Sequence, residues 1–137
     1  MAHISAPLLS RIRLVGVTAT GLVCLAFGLS AMILGRPDPF APWIPVLVGG
    51  GAALTIAVSA LAAGDRNAEI ATDELYFSES RRAQILGFWV AVLMYPVFGV
   101  AIGNGWITYP VAFSAMGTFT AAAFLLSFSI LNIRGGV

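Results

Sequence analysis

Along the chain, long runs without a charged residue alternate with short polar stretches. Residues 14–35, 39–64 and 83–133 contain no Asp, Glu, Lys or Arg. A helix needs about 20 apolar residues to cross roughly 30 Å of hydrocarbon. The first two runs therefore hold one span each, and the third, broken near 103–110, holds two. The pattern predicts an all-α integral membrane protein: a four-transmembrane-helix bundle made of two helical hairpins, in a single domain over 1–137. The expected spans are about 14–35, 43–64, 84–103 and 110–132, with a polar segment at 65–83. The prolines of "RPDPFAP" stop the first span, because proline cannot continue a helix and biases the preceding residue to extended geometry. Pro45 falls in the first turn of the second, where its missing N–H does no harm.

Composition sharpens this picture. The chain is 59% hydrophobic, 9% charged and has a mean hydropathy of +0.95, whereas a soluble domain carries about 25% charged residues. The first apolar stretch is too long for the core of a signal peptide and lacks a small-x-small cleavage site, so it is expected to remain as a helix. Cys24 is the single cysteine, which rules out an internal disulfide. The chain has no lysine, and so neither a retinal Schiff base nor a phosphate-loop lysine. A net charge of +1 argues for no particular partner, and nucleic acid is not expected.

Arginine placement sets the expected orientation. With the amino terminus inside, Arg11, Arg13, Arg66, Arg81, Arg82 and Arg134 are cytoplasmic and only Arg36 lies outside, a clear positive-inside bias. Both termini are then cytoplasmic. The outer links carry Phe40, Trp43, Trp106 and Tyr109, aromatic residues suited to the headgroup zone.

The segment "DRNAEIATDELYFSESRR", residues 65–82, holds eight of the thirteen charged side chains. Arginines pin the flanking helices, but the acids need another account. Thr72 is read as an N-cap, with Asp73 and Glu74 opposing the helix dipole, so the third helix begins about three turns before the membrane. Pairs such as Glu79 with Arg82 are available along that helix. The segment reads either as a self-neutralised helix end or as a docking surface for a cytoplasmic partner, formed by Asp73, Glu74, Tyr76, Phe77, Glu79, Arg81 and Arg82. Four spans with an acidic "DE" element, Asp73 and Glu74, ahead of the third resemble a group of uncharacterised small bacterial inner-membrane proteins. That group commonly has an arginine after the acidic pair, where Leu75 stands here. The resemblance implies a location and lends no activity.

A faint repeat is also present. "SRIRLVGV" entering the first span compares with "SRRAQILGF" entering the third, and each outer link puts tryptophan ahead of a proline. Duplication of one hairpin would produce this, and so in part would the charge and aromatic rules.

The spans offer no catalytic apparatus. None contains Asp, Glu, Lys, Arg or His, the groups that membrane enzymes, pumps and ion carriers usually keep at depth, and His3 is the only histidine. No catalytic or metal site is expected; one cysteine cannot build one. "GGG" at 49–51 is helical and no nucleotide cradle.

Small residues recur instead. Gly51, Thr55, Ser59 and Ala63, then Gly99 and Gly103, then Ser114, Thr118 and Ala122 repeat at four-residue spacing. Such faces let helices approach closely in lipid, either within the bundle or against another chain. Pro96 is expected to kink the third helix. Phe88, Phe98, Phe113, Phe119, Phe124 and Phe128 suit lipid, with carotenoid or quinone contact as the other readings.

These features point to a non-enzymatic accessory, assembly or stabilising subunit, packed against other integral membrane subunits or against itself. A homo-oligomeric channel or carrier for neutral solutes, lined by Thr55, Ser59, Ser114, Thr118 and Thr120, is the alternative. A pigment- or quinone-contacting subunit is the third reading.

Overall fold

A computed structural model describes residues 4–72 and 74–135. All described secondary structure is helical: α1 (Ala6–Leu34), α2 (Trp43–Ala63), α3 (Asp65–Ala71), α4 (Glu74–Gly103) and α5 (Tyr109–Arg134). The four longer helices are long and apolar enough to cross a membrane. At 1.5 Å per residue, the 29 residues of α1 extend about 43 Å, well beyond the hydrocarbon thickness of a bilayer.

The helices pack in the order α2–α1–α5–α4, with α1 against α5 the most extensive contact. The outer helices α2 and α4 touch each other little. Neighbours run antiparallel, as contacts show: Gly16 of α1 meets Ala52 of α2, Gly21 and Gly28 of α1 meet Leu126 and Thr118 of α5, and Gly87 of α4 meets Phe124. The two hairpins are thus joined through one helix of each. This packing is not symmetric. Duplicated hairpins related by a two-fold axis would make α2 meet α4 as α1 meets α5, and the structure lacks that match.

Helix α1 starts eight residues earlier than the apolar run alone predicts. Pro7 sits in its first turn, and Ala6, Leu9 and Arg13 form one buried face. Ala6 and Leu9 pack with Ala63 and Ala71 in a cluster that joins the start of α1 to α3 and the end of α2. At its other end α1 stops at Gly35, whose φ of 62° is costly for other residues, and the N–H groups of Gly35 and Arg36 both return to the Ala31 carbonyl. The second cluster sits at that end, where Phe98, Ala112 and Ala115 gather Met32, Met94 and Met116 around them. Phe40 is half-buried edge-to-face against Phe27, while Trp43, Trp106 and Tyr109 are exposed. Pro96 lies within α4 without ending it.

Helix α3 was not anticipated. Gly64, with φ 76°, turns the chain sharply out of α2 and into it. Asn67 then donates to the carbonyls of Ala63 and Ile4, fixing this corner to the chain ahead of α1. Thr72 does not cap α4 as expected. Its hydroxyl turns back to the carbonyls of Ala68 and Glu69 and so closes α3. Asp73 lies outside the described residues, as does His3.

Candidate functional site

Antiparallel packing gathers Arg11, Arg13, Arg66, Arg81, Arg82 and Arg134 at one end of the molecule. Two of the charged residues near this end turn inward. Arg13 follows Leu9 by four residues on the buried face of α1 and is 8% exposed. Its Nη1 donates to the Ala71 carbonyl at 2.9 Å, which ties α1 to the last residue of α3. Its guanidinium lies 4.0 Å from the ring centroid of Tyr76, a cation–π stack that links α1 to α4. The Tyr76 ring in turn meets Phe77 and Phe128 edge-on.

Glu79 is 4% exposed. It shares a face of α4 with Ala83 and Gly87, each four residues on, and this face packs on α5. The Glu79 carboxylate accepts a hydrogen bond from Nδ2 of buried Asn132 at 2.9 Å. No ion pair forms between Arg13 and Glu79. The Asn132 amide is placed with its nitrogen toward Glu79 and its oxygen away. That oxygen, Oδ1, is buried and accepts no hydrogen bond. One turn deeper, Thr18 of α1 donates to Ser129 of α5 at 2.9 Å, and Ser129 donates to the Leu125 carbonyl.

A cavity of about 340 Å³ opens within this cluster, bordered by Ser10 and Arg13 of α1, Ala71 of α3, Tyr76 of α4, Asn132 of α5 and Gly135. A narrower groove of about 190 Å³ also borders Arg13 and Tyr76, and continues along Val17, Ile56, Phe124 and Phe128. The arrangement offers polar binding beside apolar walls. Among the described residues it assembles no nucleophile and base.

The residues singled out for docking separate. Glu74, Phe77, Arg81 and Arg82 are exposed, whereas Tyr76 is half-buried beneath Arg13 and Glu79 is enclosed. Glu79 therefore does not share an outward face with the rest, and no pair with Arg82 forms: its carboxylate is held by Asn132.

The packing stripes also divide. Ser59 and Ala63 are buried, but Gly51 and Thr55 are exposed, and nothing stands within 4 Å of a Cβ placed at Gly51, Gly99 or Gly103. Ala122 is buried, Thr118 faces Gly28, and Ser114 donates to the Pro37 carbonyl at 2.7 Å. The hydroxyls suggested as a channel lining do not converge within the chain, since Thr55 and Thr120 border different surface grooves and Thr55 bonds back to Gly51. Of the phenylalanines, Phe98 and Phe128 are buried, Phe119 and Phe124 half-buried, and Phe88 and Phe113 exposed.

Arg13, Ser129 and Asn132 were missed as site residues, and Glu79 was misplaced. The signal was available. Leu9 with Arg13, Glu79 with Ala83 and Gly87, and Phe128 with Asn132 each continue an apolar or small-residue face by four-residue steps. No protein-family model matches the chain, and neither a curated protein nor a solved structure matches it.

Proposed function

We propose that the chain is a multi-pass protein of the bacterial inner membrane, with both termini in the cytosol, serving as a non-enzymatic accessory or stabilising subunit of a larger membrane assembly. The observation that carries this reading is the openness of the two outer helices. In the row α2–α1–α5–α4, the inner helix α1 packs Gly16, Gly21 and Gly28 against its neighbours, while Gly50 and Gly51 on α2 and Gly99 and Gly103 on α4 meet nothing. Small residues that face open space on the outside of a membrane helix leave room for the backbone of another helix. The arginine bias supports the orientation, and the exposed Glu74, Phe77, Arg81 and Arg82 supply a cytosolic surface beside it.

The test is crosslinking in native membranes followed by extraction in a mild detergent. The reading expects a complex containing a second integral membrane chain, or further copies of this one. A chain that runs alone under the mildest extraction would refute it.

A further inference from the structure

We propose that the groove between α1 and α2 at the arginine-rich end binds an anionic phospholipid of the phosphatidylglycerol class. The proposal rests on the bilayer placement argued above, and its site is separate from the open glycine faces, since neither Gly50 nor Gly51 borders it. The groove, of about 350 Å³, is lined by Arg11, Ile12, Val15 and Gly16 of α1 and by Ala52 and Thr55 of α2. The two helices meet at Gly16 and Ala52, where a Cβ added to the glycine would stand 3.3 Å from the alanine Cβ. Val15, one turn from Arg11, and Thr55 border the groove and are both exposed. The Thr55 hydroxyl is already engaged by the Gly51 carbonyl at 2.8 Å, and the lining is otherwise apolar apart from Arg11. Polar recognition in this groove therefore falls to the Arg11 guanidinium.

Arg11 is exposed and makes no ion pair among the described residues. It precedes the uncharged run that opens at residue 14, and so stands at headgroup depth. Val15, Gly16, Ala52 and Thr55 lie inside the uncharged runs, at the depth of the acyl chains. A guanidinium recognises phosphate through paired N–H donors. No carboxylate borders the groove, so a headgroup ammonium would find no partner there and would stand against a like charge. Charge complementarity therefore selects a headgroup that carries a phosphate and no cation. The apolar lining selects a lipid over a water-borne phosphate, which would have no use for it. A helix is about 10 Å across and would lie over this slot, whereas a single acyl chain is narrow enough to lie along it.

The experiment uses the purified full chain, stripped of lipid and then equilibrated with vesicles of equal parts phosphatidylglycerol, phosphatidylethanolamine and phosphatidylcholine. Bound lipid is counted by native mass spectrometry. The glycerol lipid is expected to be retained about fivefold over either zwitterionic lipid, the ratio that one arginine supplies beside an anionic headgroup. Arg11→Gln removes the charge at an exposed, unpaired position and is expected to remove most of that preference while the protein stays folded by circular dichroism. Arg66→Gln, exposed at the same end but outside the groove, should leave most of it in place, which separates the site from the general attraction of this end for anions. Thr55→Phe fills the slot from an exposed position and should lower retention of all three lipids severalfold. Equal retention of the three lipids by the parent chain, or an equal loss of preference in Arg11→Gln and Arg66→Gln, would overturn the proposal. So would a Thr55→Phe variant that keeps its lipid and loses the crosslinked complex, which would give the slot to a partner helix. The lipid is counted on the isolated chain, so a chain found without protein partners would leave this measurement unaffected, and loss of the lipid preference would leave the accessory-subunit reading standing.

Discussion

Asn132 on α5 donates to the carboxylate of Glu79 on α4 at 2.9 Å, and both side chains are buried. Removing one member strands the other away from water, which costs about 1–3 kcal/mol. Asn132→Leu is therefore expected to destabilise the protein by about that amount, and Glu79→Leu with Asn132→Leu by less than the sum of the single changes. Unfolding in graded denaturing detergent, followed by tryptophan fluorescence, measures all three. Strict additivity would show that the pair does not act as a unit.

Arg13 holds α3 by its carbonyl and α4 by an aromatic ring. Lysine preserves the charge but loses the planar stack and the fixed donor geometry. Arg13→Lys is expected to cost about 1 kcal/mol, and its local effect should be a looser α3. A cysteine placed at exposed Ile70, in a Cys24→Ser background, would report this through faster thiol labelling than in the Arg13 parent. Unchanged labelling would mean that the alanine cluster holds α3 without the arginine.

How much of this was legible in the sequence depends on what each feature needs. The four long helices require only length and apolarity, and the uncharged runs state both. Helix α3 has seven residues, too few to be stable alone; Arg13, Asn67 and the Ala6–Leu9 face hold it, contacts 58 and 63 residues apart in sequence for the two hydrogen bonds. The small-residue stripes were half legible for a geometric reason. At 3.6 residues per turn, a four-residue step advances about 40° around the helix. A strict run such as 51, 55, 59, 63 therefore winds off the contact face, and α2 meets α1 through Gly49, Ala52, Ile56 and Ala63 at mixed spacing. Gly16, Gly21 and Gly28 escaped notice for the same reason, since their spacing follows no single step. Glu79 was misread because its neighbours in sequence are exposed charges, while its helix face belongs to Ala83 and Gly87.

Orientation gives a prediction that reagents can read directly. With six arginines at one end and one at the other, a cysteine at Asp38 is expected to react with an impermeant maleimide in intact cells. A cysteine at Glu74 or Arg134 should react only after permeabilisation. All three sites are exposed, so burial does not confound the result. Labelling of Glu74 in intact cells would reverse the map, and with it the cytosolic surface.

The glycines divide into those that hold the monomer together and those that leave a face open, and substitution should separate the two. A Cβ at Gly28 would stand 2.7 Å from Thr118 Oγ1 and 2.8 Å from the Phe119 ring, and one at Gly21 would stand 2.9 Å from Leu126. At Gly28 the Thr118 hydroxyl and the Phe119 ring must both shift to admit a larger side chain, so Gly28→Val is expected to cost about 1–3 kcal/mol of stability. Gly51 and Gly99 face nothing, so Gly51→Leu and Gly99→Leu should leave the melting of the isolated chain unchanged. Those two changes fill the space a partner helix would occupy and should reduce recovery of the crosslinked complex several-fold. The contrast matters more than either result alone, because loss of a complex through unfolding would appear in both measurements. If Gly51→Leu and Gly99→Leu leave both melting and complex recovery intact, the open faces of α2 and α4 are lipid-facing, and the partner must be sought at the exposed charges of α4.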